Sequence, residues 1–177
     1  MNPELEIRIR RAVDEGREVR SSYFAAIDLP DEQQLGAPAP EAILMKLESR
    51  LGKHLPDSYR AFLRLHNGWR MVDGSTDLLS ANEILEGPIA ASIEEWQEKA
   101  LRSGDLIAAK SLVIGVSRYT PTRLLLDPES VDENGEWRVV QHHKDEEYEY
   151  PSFLAWLEES VEEFRELIRQ ETEENEQ

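Results

Sequence analysis

The sequence contains no cysteine, no long apolar run and no surplus of basic residues. Without cysteine there are no disulfide bonds, thiolate metal ligands or catalytic thiols. No segment approaches the ~20 apolar residues that a transmembrane helix requires. The first eight residues, Met-Asn-Pro-Glu-Leu-Glu-Ile-Arg, lack the apolar stretch of a signal peptide. We therefore expect a soluble, cytoplasmic protein that has no membrane partner.

Acidic residues dominate the charge. Of 177 residues, 37 are acidic and 20 are basic, which gives a net charge of −17 at pH 7. Because nucleic-acid binding needs clusters of Lys and Arg, we expect no nucleic-acid partner. Most of the excess lies in residues 127–177, with 18 acidic and 4 basic side chains. This surface suits a neutral or basic partner, but acidic faces and tails also occur simply because they keep proteins soluble.

Apolar periodicity predicts helices in the first third of the chain. Apolar residues recur at helical spacing over 3–27, and Leu44, Leu47 and Leu51 share one face of a helix over 41–51. The Gly- and Pro-containing segment 36–40 predicts a linker between them. A further helix follows Pro56 and ends at Asn67-Gly68, since both residues tolerate the left-handed conformation.

The rest of the chain alternates strand and helix signals. Capping boxes at Ser80–Glu83 and Ser92–Glu95 predict two helix starts, and Ser152 predicts the start of a final helix. The last three predicted strands lie too close together in sequence for βαβ crossovers, so we expect an α+β fold with an antiparallel meander packed against helices. The predicted strands are 69–72, 76–79, 112–116, 123–128 and 137–142.

The predicted organisation is a single domain with an extension at each end. Residues 1–40 form an N-terminal helix and linker, and residues 41–169 form the domain. Residues 170–177 have no apolar side chain and are expected to fray as an acidic tail.

One set of residues resembles a known family. The spacing of a Leu-Pro pair, two aromatic residues and Asn-Gly-Trp resembles the entry signature of the SUKH superfamily, named for the yeast cell-wall-synthesis regulators Smi and Knr. Later segments match that family in order over roughly 41–165, although the turn Arg118–Thr122 lacks the glycine that members often have there. We expect the matching residues to serve the core rather than a site. They are Leu55, Pro56, Tyr59, Phe62, Asn67, Gly68 and Trp69.

The resemblance implies a function without catalysis. Many bacterial members are immunity proteins of polymorphic toxin systems, which implies a cognate protein toxin as partner. A basic, nuclease-type toxin would also suit the charge of this chain. The fungal members imply an alternative, a regulatory or scaffold protein without a toxin. A hydrolase that uses surface carboxylates is a third and weaker hypothesis. We expect a monomer or a weak dimer.

No sequence pattern identifies a cofactor or a metal site. Nucleotide-binding loops and nucleophile elbows are absent. His142 and His143 are adjacent in a predicted strand, so their side chains point to opposite faces and chelate poorly together. His54 and His66 lack a ligand spacing. We therefore expect no metal and no cofactor, with a weak calcium site in the acidic segment 145–149 as the open alternative.

The acidic residues of 127–149 are the candidate partner-binding site. We expect them to lie on loops that are tied to adjacent strands, so that their positions are fixed more tightly than those of the tail. We also expect them to lack basic neighbours within the chain. The candidates are Asp127, Glu129, Asp132, Glu133, Glu136, Asp145, Glu146, Glu147 and Glu149.

Overall fold

The computed structural model describes residues 2–144 and 146–175. The described part holds seven helices and seven strands. The helices are α1 (Pro3–Ala26), α2 (Glu41–Leu51), α3 (Asp57–Leu65), α4 (Ala81–Leu85), α5 (Pro88–Ser103), α6 (Leu106–Lys110) and α7 (Phe153–Asn175). The strands are β1 (Gln34–Leu35), β2 (Trp69–Arg70), β3 (Thr76–Leu78), β4 (Leu112–Ser117), β5 (Arg123–Val131), β6 (Trp137–His143) and β7 (Glu146–Tyr150).

The strands form one antiparallel meander. Their order in the sheet is the order in the chain, β1 to β7, and every neighbouring pair is antiparallel. The predicted α+β class and the absence of βαβ crossovers are therefore confirmed. A register shift between Val113 and Gly115 interrupts the pairing of β4 with β5. Near it, a Cβ on Gly115 would lie 3.1 Å from the Leu124 Cβ, so glycine permits close approach of the two strands.

The sheet is buried on both faces, by different helices. One face packs against α1, α2, α3 and α7, and its core includes Ile114, Leu126 and Val139. The other face buries Val113, Leu125 and Val140 under side chains of α5 and α6. The continuous apolar run of β4 follows from this arrangement, since successive strand residues point to opposite faces.

The N-terminal helix belongs to the main core. Ile9 and Val13 of α1 are fully buried in the same cluster as the sheet and α7. Arg20 of α1 is also buried, and its Nη2 donates a hydrogen bond to Ser160 of α7 at 2.8 Å. The boundary between extension and domain near residue 40 stays a prediction.

One predicted helix start and several unpredicted elements differ from the structure. Ser92 lies inside α5, which begins at Pro88, so the predicted second capping box does not start a helix. Proline is favoured at the first helical position, and this signal outweighs the later Ser-x-x-Glu pattern. The sequence also missed β1, α6, whose N-cap is Asp105, and β7.

The predicted limits of the first helix and the predicted start of the last helix agree with the structure to within a residue. The helix predicted over 3–27 is α1, and Ser152 Oγ accepts a hydrogen bond from Ala155 N at the start of α7. Residues 170–175 continue α7, whereas Glu176 and Gln177 lie outside the described residues. In the described part of the chain, no helix combines the length and apolarity needed to cross a bilayer.

Candidate functional site

The family-signature residues are structural. Tyr59, Phe62 and Trp69 are at most 1% exposed and lie in the main core with Ile114. Asn67 Oδ1 accepts a hydrogen bond from Ala81 N at 2.7 Å, which ties the end of α3 to the first residue of α4. Gly68 has a φ of +98°, and a Cβ there would lie 2.9 Å from the carbonyl oxygen of Leu78. Leu55 and Pro56 are buried at the start of α3.

The candidate acidic residues do not form one surface. Asp132, Glu133 and Glu136 lie in the β5–β6 turn, whereas Glu146 pairs with His143 at the far end of β6. The seven residues of β6 separate the two ends by about 20 Å at the rise of a β-strand. A partner that binds the acidic residues at one end of β6 would therefore not contact those at the other end.

Several candidates also lie in strands rather than loops, so the loop prediction is wrong for them. Asp127 and Glu129 belong to β5, and Glu147 and Glu149 belong to β7. Because side chains alternate along a strand, residues 146–149 do not surround one ion, which removes the calcium-loop alternative for them. Asp145 lies outside the described residues.

Three of the candidate acidic residues form ion pairs with basic side chains. Arg138 donates hydrogen bonds to Asp127 at 2.7 Å and to Glu149 at 2.8 Å. Asp127 is 5% exposed, so it is not accessible to a partner. Its hydrogen bond is the main reason that the pKa of Arg138 lies above the ordinary value. Glu129 lies 3.5 Å from Lys53 in an exposed ion pair. The prediction that the acids lack basic neighbours is wrong for these residues.

The β5–β6 turn is held by its own hydrogen bonds. Asp132 Oδ1 accepts hydrogen bonds from Asn134 N at 2.8 Å and from Glu136 N at 2.9 Å. Asp132 N donates to the carbonyl oxygen of Glu136 at 2.9 Å. Gly135, with a φ of +80°, supplies the left-handed conformation that the turn requires. The exposed carboxylate of Glu133 is therefore carried on a fixed backbone.

Glu136 connects this turn to α3. Its carboxylate accepts hydrogen bonds from Ser58 N at 2.9 Å and from Ser58 Oγ. The side chain is partly buried, and that burial is the main reason that its pKa lies above the ordinary value. The nearby charges of Asp132 and Asp57 raise it further, whereas the Ser58 hydrogen bonds oppose the shift. A positive charge placed beside Glu136 would lower its pKa again.

These residues form one wall of an open cleft of about 530 Å³, which we call the acidic cleft. Its other walls are the first turns of α1 and α7. Among the described residues that line it, one is basic: Arg8, which is bound to Glu158 at 2.9 Å. The acidic lining residues are Glu4, Asp57, Asp132, Glu136 and Glu158.

The acidic cleft remains negatively charged after the Arg8–Glu158 ion pair and the helix dipoles are taken into account. With Glu158 neutralised by Arg8, four carboxylates remain, a formal charge of −4. The N-termini of α1, α3 and α7 also meet there, and each contributes about +0.5 of an elementary charge. These helix dipoles explain why carboxylates are tolerated at the cleft. Their sum of about +1.5 is too small to cancel the charge.

A larger cleft between α2 and α3, of about 750 Å³, has a different character. Its basic and acidic side chains neutralise each other. Arg60 pairs with Glu41 and, at 3.0 Å, with Glu48, while Arg64 pairs with Glu41 at 2.9 Å. Because these charges are already satisfied, the cleft offers no strong preference for a charged partner.

A second group of polar residues lies at the end of β6 that is far from the β5–β6 turn. His142 of β6 meets Asp105 of α6 and Glu147 of β7, while His143 points away and contacts Thr122 at 2.6 Å. The two histidines do point to opposite faces, as predicted. Ligand spacing along the sequence does not reveal this group, because Asp105 lies 37 residues from His142.

The sequence identified two of the five acidic residues that line the acidic cleft, Asp132 and Glu136. It missed Glu4, Asp57 and Glu158, which come from three other elements. The available signals were the acidic first turns of α1 and α3. The packing of α1 against α7 and the Ser58–Glu136 hydrogen bonds of α3 bring them to the β5–β6 turn.

Comparison with protein families gives one match, and no curated protein matches the chain. The matching family model is that of the SMI1 / KNR4 family (SUKH-1), and it covers residues 38–159. The match spans more than half of the chain and includes the signature residues of α3 and β2. Such a domain fits a non-catalytic immunity or regulatory role. The chain therefore belongs to the SMI1 / KNR4 family (SUKH-1).

Proposed function

We propose that this chain is an immunity protein that binds and neutralises a basic, nuclease-type protein toxin through the acidic cleft. The family supports a protein-binding role, since its domains are protein-interaction domains. The observation that carries the choice of surface is the convergence of Glu4, Asp57, Asp132 and Glu136 with a single, already paired, basic residue. A nuclease must present Lys and Arg to its substrate, and those side chains would suit this cleft.

The acidic cleft is a better docking surface than β7. At β7, Glu149 is bound to Arg138 and Glu147 faces His142, so two of its carboxylates are already engaged within the chain. The cleft instead groups carboxylates of like charge: burial is the main cause of the raised pKa of Glu136, and the charges of Asp132 and Asp57 raise it further. A basic partner would relieve that repulsion and gain binding free energy from it.

A growth-rescue assay tests the function. Co-expression of the chain with a panel of basic nuclease toxin domains should restore growth against at least one of them. If growth is never restored and affinity capture recovers only host proteins, the regulatory alternative takes its place. That alternative also fits the family. A toxin gene next to the gene for this chain would favour the immunity role.

A matched pair of variants tests the surface. The cleft variant is Asp57→Asn with Glu133→Lys, which combines a lining residue with the exposed carboxylate between the lining residues Asp132 and Asn134. The control variant is Asp14→Asn with Glu18→Lys on the exposed side of α1. Both change the net charge by +3. The cleft variant should slow association with the rescued toxin several-fold, about 10-fold at low salt, because local charge steers the encounter.

The control variant should slow association much less. Glu146→Lys, at the far end of β6, should also have a small effect. Equal slowing by the cleft and control variants would show that only net charge matters, and the proposed surface would be abandoned. Circular dichroism and urea unfolding establish that each variant remains folded.

A further inference from the structure

Three potential metal ligands converge where α6 meets the β6–β7 hairpin. Asp105 is the N-cap of α6, His142 lies in β6, and Glu147 is its direct cross-strand partner in β7. His142 is 8% exposed, whereas the side chains of Asp105 and Glu147 are about one-third exposed. The imidazole thus forms the buried floor of a small site whose carboxylates face solvent.

The distances suit a single ion. His142 Nε2 lies 3.1 Å from Asp105 Oδ2 and 3.9 Å from Glu147 Oε1, and the three ligand atoms lie within 4.8 Å of one another. Bonds of 2.0–2.2 Å to a tetrahedral zinc ion place ligand atoms about 3.4 Å apart. Small side-chain rotations, about 1 Å at the carboxylates, would therefore bring all three into coordination.

The charges of the group are not balanced by a basic residue. On the same face of the sheet, Arg138 bridges Asp127 and Glu149. His142 occupies the equivalent place between Asp105 and Glu147, but its single Nε2 faces both carboxylates, whereas the guanidinium of Arg138 offers a separate N–H to each of its partners. In residues 2–144 and 146–175, neither carboxylate pairs with Lys or Arg.

Arg123 of β5 is the cross-strand partner of His142, but among the described residues it forms no ion pair with Asp105 or Glu147. The guanidinium of Arg123 stacks over the ring of Trp96, 4.3 Å from its centroid, and Trp96 in turn contacts the edge of His142. The group therefore combines two carboxylates and one imidazole without a permanent cation. A bound divalent ion would supply the missing charge.

We propose that Asp105, His142 and Glu147 bind a divalent transition-metal ion, with zinc as the best match to one nitrogen and two oxygen ligands. The fourth position is open to water from the solvent side. The ion would join the start of α6 to β6 and β7, so its role is to hold the helical layer of α5 and α6 on the sheet. This site does not rest on the proposed toxin binding.

Zinc titration of untagged protein, dialysed first against EDTA, tests the proposal. We expect one equivalent to bind by isothermal titration calorimetry and the melting temperature to rise with zinc. Cobalt in place of zinc should give visible absorption typical of a protein-bound tetrahedral ion. His142→Gln should weaken zinc binding by at least about 10-fold.

Two further variants give the matched controls. His143→Gln alters the adjacent histidine, which faces Thr122, and should leave zinc binding unchanged. Asp105→Asn keeps a good N-cap for α6 but removes a charged ligand, so it should weaken binding without unfolding the helix. Equal binding by the His142→Gln and His143→Gln variants would mean that zinc binds the acidic surface at large. Absence of zinc binding by the unmodified chain at about 1 mM would leave only a His142–Asp105 hydrogen bond. Either result overturns the proposal.

Discussion

Arg20 is the least expected residue of the core. Its guanidinium carbon lies 5.1 Å from the centre of the Trp69 ring and 4.8 Å from that of Phe164, and Nη2 donates to Ser160. Burial lowers the pKa of Arg20 to about 10, so the side chain stays charged at neutral pH. The cation–π contacts and the hydrogen bond offset part of the desolvation. Arg20 thereby fixes the position of α1 on α7.

Gly16→Ala tests how tightly Arg20 is held. In an ordinary helix this change stabilises by about 1 kcal/mol. Here the new Cβ would lie 2.6 Å from Arg20 Nη1 and 3.5 Å from Trp69. Because Arg20 is 1% exposed, moving its guanidinium away would disturb its contacts with Trp69, Phe164 and Ser160. We expect a loss of about 1–3 kcal/mol of unfolding free energy, measured with urea.

The same change in an Arg20→Met background should be neutral or stabilising, because the flexible thioether can move away from the new methyl group. If Gly16→Ala alone raises the unfolding free energy by about 1 kcal/mol, the contact with Arg20 does not constrain α1.

A second residue-level prediction concerns the aromatic core. Phe62 and Trp156 both pack against Phe153, with ring centroids 5.1 Å and 5.5 Å away. Phe62→Ala and Trp156→Ala should each lower the unfolding free energy by about 3–5 kcal/mol. Ile7→Ala, at a residue that is 61% exposed, is the control and should change it by less than about 0.5 kcal/mol. Losses below about 1 kcal/mol for both aromatic variants would contradict this core.

At the scale of elements, the signals that succeeded are local and strong. Apolar periodicity and the Ser80 and Ser152 caps predicted α1, α4 and α7, because a helix boundary depends on neighbouring residues. The turn Arg118–Thr122 closes without glycine because Ser117 Oγ accepts hydrogen bonds from Tyr119 N and Thr120 N. Sequence signals that span only a few residues were enough to predict these elements.

Sites built from distant elements could not be predicted in this way. The acidic cleft joins Glu4, Asp57 and Glu136, and the proposed metal site joins Asp105 to His142. Their proximity depends on tertiary packing, for which a single sequence has no short-range signal. The strand β7 was missed for a related reason: its residues Glu146–Glu149 have low β-propensity apart from Tyr148, and edge pairing with β6 decides their conformation.

The link between Glu136 and α3 gives a prediction at this scale. Glu136→Ala removes both acceptors of Ser58, whose N–H and Oγ–H lie in a residue that is 1% exposed. We expect this change to lower the unfolding free energy by about 1–3 kcal/mol. Glu133→Ala, in the same turn but exposed, is the control and should fall within about 0.5 kcal/mol of the unmodified chain. Equal stability of the two variants would show that Glu136 does not anchor α3.

The whole molecule carries two kinds of carboxylate. Glu41 and Glu83 have pKa values below the ordinary value: hydrogen bonds from Arg60 and Arg64 stabilise the Glu41 carboxylate, and those from Arg70 and Ser80 outweigh the burial of Glu83. Glu136 and Glu163 have raised pKa values, mainly because of burial. Carboxylates of the first kind add stability as the pH rises from their folded pKa through their unfolded pKa, and this contribution is complete above the unfolded pKa. For the second kind the native state binds more protons, so stability falls as the pH rises from the unfolded pKa through the folded one.

This difference leads to a prediction about partner binding. A basic partner in the acidic cleft would stabilise the charged form of Glu136 and return its pKa toward the ordinary value. Complex formation must then release a proton in the pH range just above the unfolded pKa of Glu136, and by linkage the affinity must rise with pH through that range. Calorimetry in two buffers of different ionisation enthalpy measures the released protons directly, and dissociation constants at a series of pH values measure the trend.

The cleft variant Asp57→Asn with Glu133→Lys should release fewer protons, because Asp57 no longer contributes to the raised pKa of Glu136. The control variant Asp14→Asn with Glu18→Lys should behave as the unmodified chain does. An affinity that is independent of pH, together with no proton release, would place the partner away from Glu136.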